Sequence, residues 1–298
     1  MRRETIRAAL DRETPLVTPL AHDALSARLI ERAGFHAFTI GGSALLAARH
    51  ALPDIGLIGL ADMAEGIRDI AAACSLPFLA DGDDGYGDAK SVTRMVETYE
   101  SLGVGAILIE DQLRDRKQQR ADKALGVAED AVIEQKLRAA LAARGDRETL
   151  VIGRTDAYGL LGLDAALRRA ERFLRAGVDG VFIAGIRSEE HYARAGRTLA
   201  GTILSAAMFE GGDTPWLTPR ALGQMGYRHV SFPASMLFRV AGAMQAALGQ
   251  LRRYAGGGAP PAPVDALGAV RAALDSALDL ERWRRIAAAY PAEPGEAA

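Results

Sequence analysis

The stretch Leu79-Ala80-Asp81-Gly82-Asp83-Asp84-Gly85-Tyr86-Gly87 concentrates the groups best suited to chemistry. A short apolar run, Pro77-Phe78-Leu79-Ala80, reads as a buried strand and ends in three carboxylates set among glycines. Carboxylates at the end of a buried strand are costly unless something cationic neutralises them. Glycines let the backbone turn sharply and approach a ligand closely. A hard divalent cation, most simply Mg²⁺ with Mn²⁺ as a substitute, explains both features. It takes oxygen ligands and keeps waters that a substrate can displace. An ordinary acidic turn, or a helix-capping role for Asp81, is the plainer alternative.

Polar groups recur at the ends of other apolar runs. Ile40-Gly41-Gly42-Ser43 offers backbone amides and a hydroxyl suited to a substrate carboxylate. Pro53-Asp54 follows it. Later runs end in Glu110-Asp111-Gln112, in Arg154-Thr155-Asp156 and ahead of Glu210-Gly211-Gly212. Carboxylates with one arginine are the set needed to hold a cation together with an anionic substrate. Glu110 and Arg154 could equally form a structural ion pair. His22, His36, His50, His191 and His229 show no metal-ligand spacing and read as structural or solvated. The charged run Arg114–Lys123 reads as a mobile loop over the mouth, or simply as a solvated surface loop.

The elements that must position these groups alternate in type. Apolar runs stand at Leu16–Thr18, Ala37–Ile40, Phe78–Ala80, Ala106–Ile109, Leu150–Gly153, Gly180–Ile183, Thr202–Ser205 and His229–Phe232. Stretches of helical period lie between them, among them Ala24–Ala33, Met63–Ala73, Ala89–Leu102, Asp130–Ala142, Asp164–Ala176 and Met236–Leu251. Eight strands, each followed by a helix, predict a (β/α)₈ TIM barrel over residues 1–255, with a doubly wound open sheet as the alternative. In a barrel, the strand C-termini converge on one face, which is where the polar ends just named would meet. Residues 256–263, Gly-Gly-Gly-Ala-Pro-Pro-Ala-Pro, form a linker, and 264–298 a helical tail. The tail stripe Leu280, Trp283, Ile286 and Tyr290 needs burial, for which a neighbouring subunit is the favoured cover.

Bulk properties exclude several classes of function. The 298 residues are 49% hydrophobic and carry a formal net charge of −2, so neither nucleic acid nor an anionic membrane is an expected partner. A single cysteine, Cys74, rules out an internal disulfide and fits a reducing cytoplasm. The charged N-terminus has no apolar segment of the signal-peptide kind.

Taken in order, these motifs resemble the isocitrate lyase and phosphoenolpyruvate mutase superfamily. The likeness runs from Ala21-His22-Asp23 through the tail and is carried by Gly41-Gly42-Ser43, Leu52-Pro53-Asp54, Ala80–Gly87, Ile109–Gln112, Arg154–Ala157 and Met208–Gly212. The resemblance implies a barrel whose last helix is exchanged between subunits, usually in homotetramers. It implies Mg²⁺ around Asp54, Asp81, Asp83 and Glu110, partly through water, with Asp81, Asp83 and Glu110 the metal ligands. Substrates would be small 2-oxo or 2-hydroxy carboxylates, cleaved through a pyruvate enolate. Arg154, Asp54 and Glu110 become the catalytic candidates; Gly41, Gly42, Ser43, Arg154 and Glu210 the substrate-binding ones.

The departures select among branches. Lyases of this superfamily carry a Lys-Lys/Arg-Cys-Gly-His loop, where this chain has Arg116, Lys117, Gln118, Gln119 and Arg120. Neither glutamine nor arginine is a neutral-pH general acid, so a lyase mechanism resting on that cysteine is excluded. Ala184 and Ala207 replace a glutamate and an asparagine. Oxaloacetate decarboxylases also lack the cysteine and share a strand-six end like Ile183–Arg187, although they carry a histidine where this chain has Phe232–Ser235. Oxaloacetate-type decarboxylation is the first expectation. Methylisocitrate-lyase-like retro-aldol cleavage, carboxyphosphonoenolpyruvate or phosphonopyruvate mutase-type C–P chemistry and a non-catalytic metabolite-binding barrel are the alternatives.

Overall fold

The structure is a computed structural model that describes residues 3–117 and 126–291. Its elements run α1 (Ile6–Arg12), β1 (Leu16–Pro19), α2 (Ala24–Arg32), β2 (Phe38–Ile40), α3 (Gly42–His50), α4 (Leu60–Ala73), β3 (Phe78–Asp81), α5 (Ala89–Ser101) and β4 (Ala106–Glu110). After a 3₁₀ turn at Arg114–Arg116 come α6 (Asp130–Ala143), β5 (Leu150–Thr155), α7 (Tyr158–Leu161), α8 (Leu163–Ala176), β6 (Gly180–Ile183), α9 (Glu189–Thr198), β7 (Ile203–Ala207) and α10 (Pro219–Gln224). The chain ends with β8 (His229–Phe232), α11 (Ser235–Ala255), α12 (Leu267–Ala277) and α13 (Leu280–Ala289).

All eight expected strands are present, and every pairing is parallel. The order β1-β8-β7-β6-β5-β4-β3-β2 is sequential, with the first strand paired to the last. A doubly wound sheet reverses its strand order at a switch point and leaves two open edges, so that alternative is overturned. The remaining seam between β1 and β2 is bridged at Leu20 and Thr39, where Ala21 N donates to Thr39 O over 2.9 Å. The result is a (β/α)₈ barrel.

Alternation along the strands makes two shells of core. Leu79, Ala106, Leu150, Ile152, Phe182 and Ala207 belong to an inner cluster that includes Ile6, Ala9 and Leu10 of α1. Their neighbours Ala80, Ile107, Val151, Val181, Leu204 and Ala206 pack outward with helix residues such as Ile67, Val92 and Phe173. Both strand faces are therefore buried, which is why the strands read as continuous apolar runs. The void left among Ile6, Leu16, Leu79, Ile152 and His229 is about 10 Å³, room for one water at most. The barrel is a filled core, and chemistry is confined to its rim.

Several helices begin at caps visible in the sequence. Asp23 and Ser26 form a reciprocal capping box on α2, and Asp88 accepts from Lys90 N and Ser91 N at the start of α5. The chain divides into two compact units, Met1–Arg239 and Val240–Ala298. In the second, Met244, Leu248, Leu251, Val270, Leu274, Trp283 and Ile286 are exposed. Among the described residues no helix is long and apolar enough to cross a membrane.

Candidate active site

The acidic loop after β3 is built by close approach. Gly82 N donates to Leu108 O over 2.7 Å, and a Cβ on Gly82 would lie 2.7 Å from that oxygen and 2.8 Å from Met95 Sδ. Gly85 has φ +83°, and a Cβ there would meet Val92 Cγ2 at 2.3 Å. These two glycines therefore seat the loop on β4 and α5. Asp83 and Tyr86 also have positive φ, 50° and 60°, a strain of about 1 kcal/mol or more each. Hydrogen bonds hold the shape: Glu110 N donates to Asp83 O (2.8 Å) and Asp83 N to Asp81 Oδ1 (2.9 Å). Tyr99 donates its hydroxyl to Asp81 O (2.9 Å).

Around this loop the strand ends bring the charges together. The Lys117 ammonium lies 3.2 Å from Asp54 and 3.2 Å from Glu110, and also pairs with Asp83. Glu110 faces Arg154 at 2.8 Å, and Arg154 donates to Asp156 over 2.8 Å. The Arg154 guanidinium also lies 5.6 Å from the Phe182 ring centre. Arg114 pairs with Asp83 (2.8 Å) and Asp84, and Lys136 reaches Asp84 at 3.4 Å. Asp54, Asp81, Asp83, Asp84, Glu110 and Asp156 thus face Lys117, Arg114, Arg154 and Lys136: six carboxylates against four cations, an excess of two negative charges when all are ionised.

The proton affinities follow first from burial and then from the neighbouring charges. Burial, reinforced by the Glu110 charge, raises the Asp81 carboxyl and pushes Asp83 well above the usual range. Burial acts upward on Glu110 too, but Arg154 and Lys117 outweigh it and hold that group down to about 2. Asp156 rises to about 6, because burial and the Glu110 charge exceed the help from Arg154. For Lys117 and Arg154 burial acts downward, yet the surrounding carboxylates keep both above their ordinary values.

Among the described residues, no three Asp, Glu, His or Cys side chains converge as a ready-made ion cage. The carboxylates are spaced around Lys117 instead. This arrangement still fits Mg²⁺, which takes one or two protein carboxylates and keeps the rest of its shell as water and substrate. The donor set is all oxygen, the carboxylates outnumber the cations by two, and the Lys117 ammonium marks a point where positive charge is held. Arg154 Nε and Asp156 Oδ2 are buried without hydrogen-bond partners, so the arginine side retains unused capacity.

Gly42 opens α3 after the extended Gly41, so the Gly-Gly-Ser segment is a helix N-terminus whose first amides lack intrahelical acceptors. A Cβ on Gly42 would stand 3.8 Å from Asp81 Oδ2, which puts this helix start beside the acidic loop. Ser43 is exposed. Glu210 pairs with Arg239 across 2.5 Å. Asp111, next to Glu110, turns away to accept from Arg169 (2.8 Å), Thr155 (2.7 Å) and Asp156 N (2.9 Å), tying the ends of β4 and β5 together. His229 is buried among Thr18 and Ser205 inside the barrel.

Sequence reasoning missed Arg114, Lys117 and Lys136 as members of the cluster. Arg114 and Lys117 sit in the run read as a mobile or solvated loop, yet both are pinned by ion pairs and Lys117 is only 9% exposed. Its match to the first basic residues of the lyase loop was the available signal; nothing local marks Arg114 or Lys136. Gln118, Gln119 and Arg120 lie outside the described residues. Across the mouth, the ends of β6 and β7 carry the buried Ala184 and Ala207, and Phe232 of β8 packs on Trp216 with ring centres 5.6 Å apart.

A parallel barrel whose C-terminal rim gathers carboxylates around one inward-facing arginine defines a TIM-barrel protein with an enzyme-like polar mouth. Residues 6–252 match the family model described as phosphoenolpyruvate phosphomutase, and the chain belongs to that family. It is 35% identical over 253 residues to a probable 2-methylisocitrate lyase 1 of Corynebacterium glutamicum, covering 85% of this chain and 82% of the relative. An oxaloacetate decarboxylase of a Bradyrhizobium species is 34% identical over 265 residues, 87% of each chain. A phosphonopyruvate hydrolase, solved in complex with oxalate and Mg²⁺, superposes with a TM-score of 0.79 at 28% identity, covering 96% of this chain and 97% of the other.

Proposed function

We propose that this protein is a Mg²⁺-dependent carbon–carbon lyase acting on a small 2-oxo or 2-hydroxy carboxylate, with oxaloacetate-type decarboxylation as its first reaction. The observation that carries this reading is the gathering at the barrel mouth of six carboxylates against four cations, Arg154 among them. The family supports it, since the relatives include proteins named for lyase and decarboxylase activity on small carboxylates. The solved hydrolase with Mg²⁺ and oxalate supports the choice of ion.

Asp81, Asp83 and Glu110 are the side chains that would hold the ion, with Asp54 in support. When bound, the ion would supply Lewis-acid polarisation of the 2-oxo group and neutralise its adjoining carboxylate. The free amides at Gly42 and Ser43 bind that carboxylate. Arg154 stabilises the oxygen on which charge develops as the C–C bond breaks. Glu110, fully ionised between Lys117 and Arg154, holds both cations in place. Loss of CO₂ leaves the bonding electron pair on the enolate with no prior proton removal. Decarboxylation therefore makes the least demand on a loop that has Gln118 where lyases carry cysteine. Retro-aldol cleavage of a 2-hydroxy acid is the second choice. The exposed apolar side chains of α11–α13 suit cover by a second copy of the chain in a homo-oligomer.

The test is a panel of 2-oxo and 2-hydroxy acids, with phosphonopyruvate included, assayed for pyruvate release with and without EDTA. The expected result is metal-dependent pyruvate from oxaloacetate or a substituted relative. Turnover of phosphonopyruvate alone moves the assignment to C–P chemistry. Tight Mg²⁺–oxalate binding without turnover of any acid makes the barrel a binding protein.

A further inference from the structure

Residues 51–59, which carry Asp54, have no regular structure, and Leu52, Ile55 and Leu57 are exposed. Buried Ile58 anchors the segment in the core. A second anchor comes from the turn after β4. Arg114 Nη1 donates to Gly56 O (3.1 Å) and Ile58 O (2.8 Å). The other edge of the same guanidinium donates to Asp83 Oδ2 (2.8 Å) through Nη2 and to Asp84 Oδ1 (3.0 Å) through Nε. It also lies 5.4 Å from the Tyr86 ring centre. One planar group thus joins the Asp54 segment to the acidic loop.

Gly56 bears on the same contact independently. Its φ is +82°, and a Cβ would lie 2.8 Å from Arg114 O and 3.0 Å from Arg114 Cγ. The backbone of the Asp54 segment is therefore pressed directly onto Arg114, closer than any side chain at position 56 allows.

We propose that Arg114 is a positioning residue that sets the spacing between the Asp54 segment and the Asp81–Asp83 loop, and thereby the spacing of the oxygens offered to a divalent cation. The inference rests on the metal reading above. Lysine cannot replace the arginine, because a single ammonium lacks the fork that reaches two carbonyls and two carboxylates at once.

Two substitutions test the proposal without changing net charge: Arg114→Lys removes the fork, and Gly56→Ala forces the segments apart. Mn²⁺ binding to the intact protein, followed by electron paramagnetic resonance and calorimetry, is compared with wild type alongside a thermal melt. Both variants are expected to bind Mn²⁺ about tenfold more weakly while melting cooperatively, as for other supports that orient a ligand. Affinity within twofold of wild type in a folded Arg114→Lys overturns the proposal, even if its melting temperature falls, since that result describes a purely structural contact. Should Gly56→Ala fail to fold, Arg114→Lys alone decides. Wild type that binds no Mn²⁺ overturns the metal reading and this inference together, and does so before any variant is made.

Discussion

The two halves of the barrel mouth are built on opposite principles. From β2 to β5 the rim carries Asp81, Asp83, Glu110 and Arg154 in a net of ion pairs, with partly unmet charge. From β6 to β8 it carries Ala184, Ala207 and Phe232, with no charged side chain in the strands themselves. The charged half is what chemistry at a 2-oxo carboxylate requires, and it leaves little freedom. The other half presents two small buried alanines and a phenylalanine. Under the proposed function, the reaction belongs to the charged side of the mouth and substrate choice to the other.

Removing the centre of the charged half is the severest way to break this division. Asp81→Ala should reduce turnover at least 10²–10³-fold, the cost of one missing electrostatic contact at a reacting group, while the far-UV spectrum and cooperative melt persist. Wild-type turnover in a folded variant would refute the assignment of that half. Filling the other half is the next test. Ala207→Leu should lower kcat/KM for a 3-methyl-substituted oxaloacetate relative to oxaloacetate by about tenfold, the scale of a mismatched methyl or methylene. Mn²⁺ affinity should stay unchanged; if it falls in step, the halves are not separable.

The smallest effect on activity is expected from His229, at the foot of β8 beneath the apolar half. Burial pushes its imidazole down to about 4 from an ordinary 6.5. The unfolded chain binds a proton between those values that the folded one does not. Stability from this site is therefore complete above about pH 6.5 and falls as pH drops towards 4, by up to about 3 kcal/mol. Urea melts across that range should show a weaker pH dependence in His229→Gln than in wild type. Parallel curves would mean that other groups set the acid limit.

Much of this molecule was legible residue by residue. The eight strands were visible as apolar runs because both faces of a parallel barrel strand are buried, so composition alone announces them. α1, α3, α9 and α10 were not singled out, since six to ten residues give little helical period to detect. The strand ends Asp81, Glu110 and Arg154 could be listed, because a charged group closing an apolar run is visible locally. The pinning of Arg114 and Lys117 could not, because a run of alternating charges looks the same whether water or distant carboxylates satisfy it. Lys136 was read only as part of a helix, yet its ammonium donates to Asp84 O over 2.8 Å.

What the sequence determined by itself was the set of eight strands and the chemical kind of the rim: oxygen donors, one arginine and two glycines at a helix start. Those follow from local rules of burial, turn geometry and charge. Which charges meet was decided only by closing the barrel. Lys117 contacts Asp54 and Asp83, 63 and 34 positions earlier, and Arg114 reaches Gly56, 58 positions earlier. Ion-pair energy depends on distance in space, and a chain order that holds these groups far apart carries no record of it.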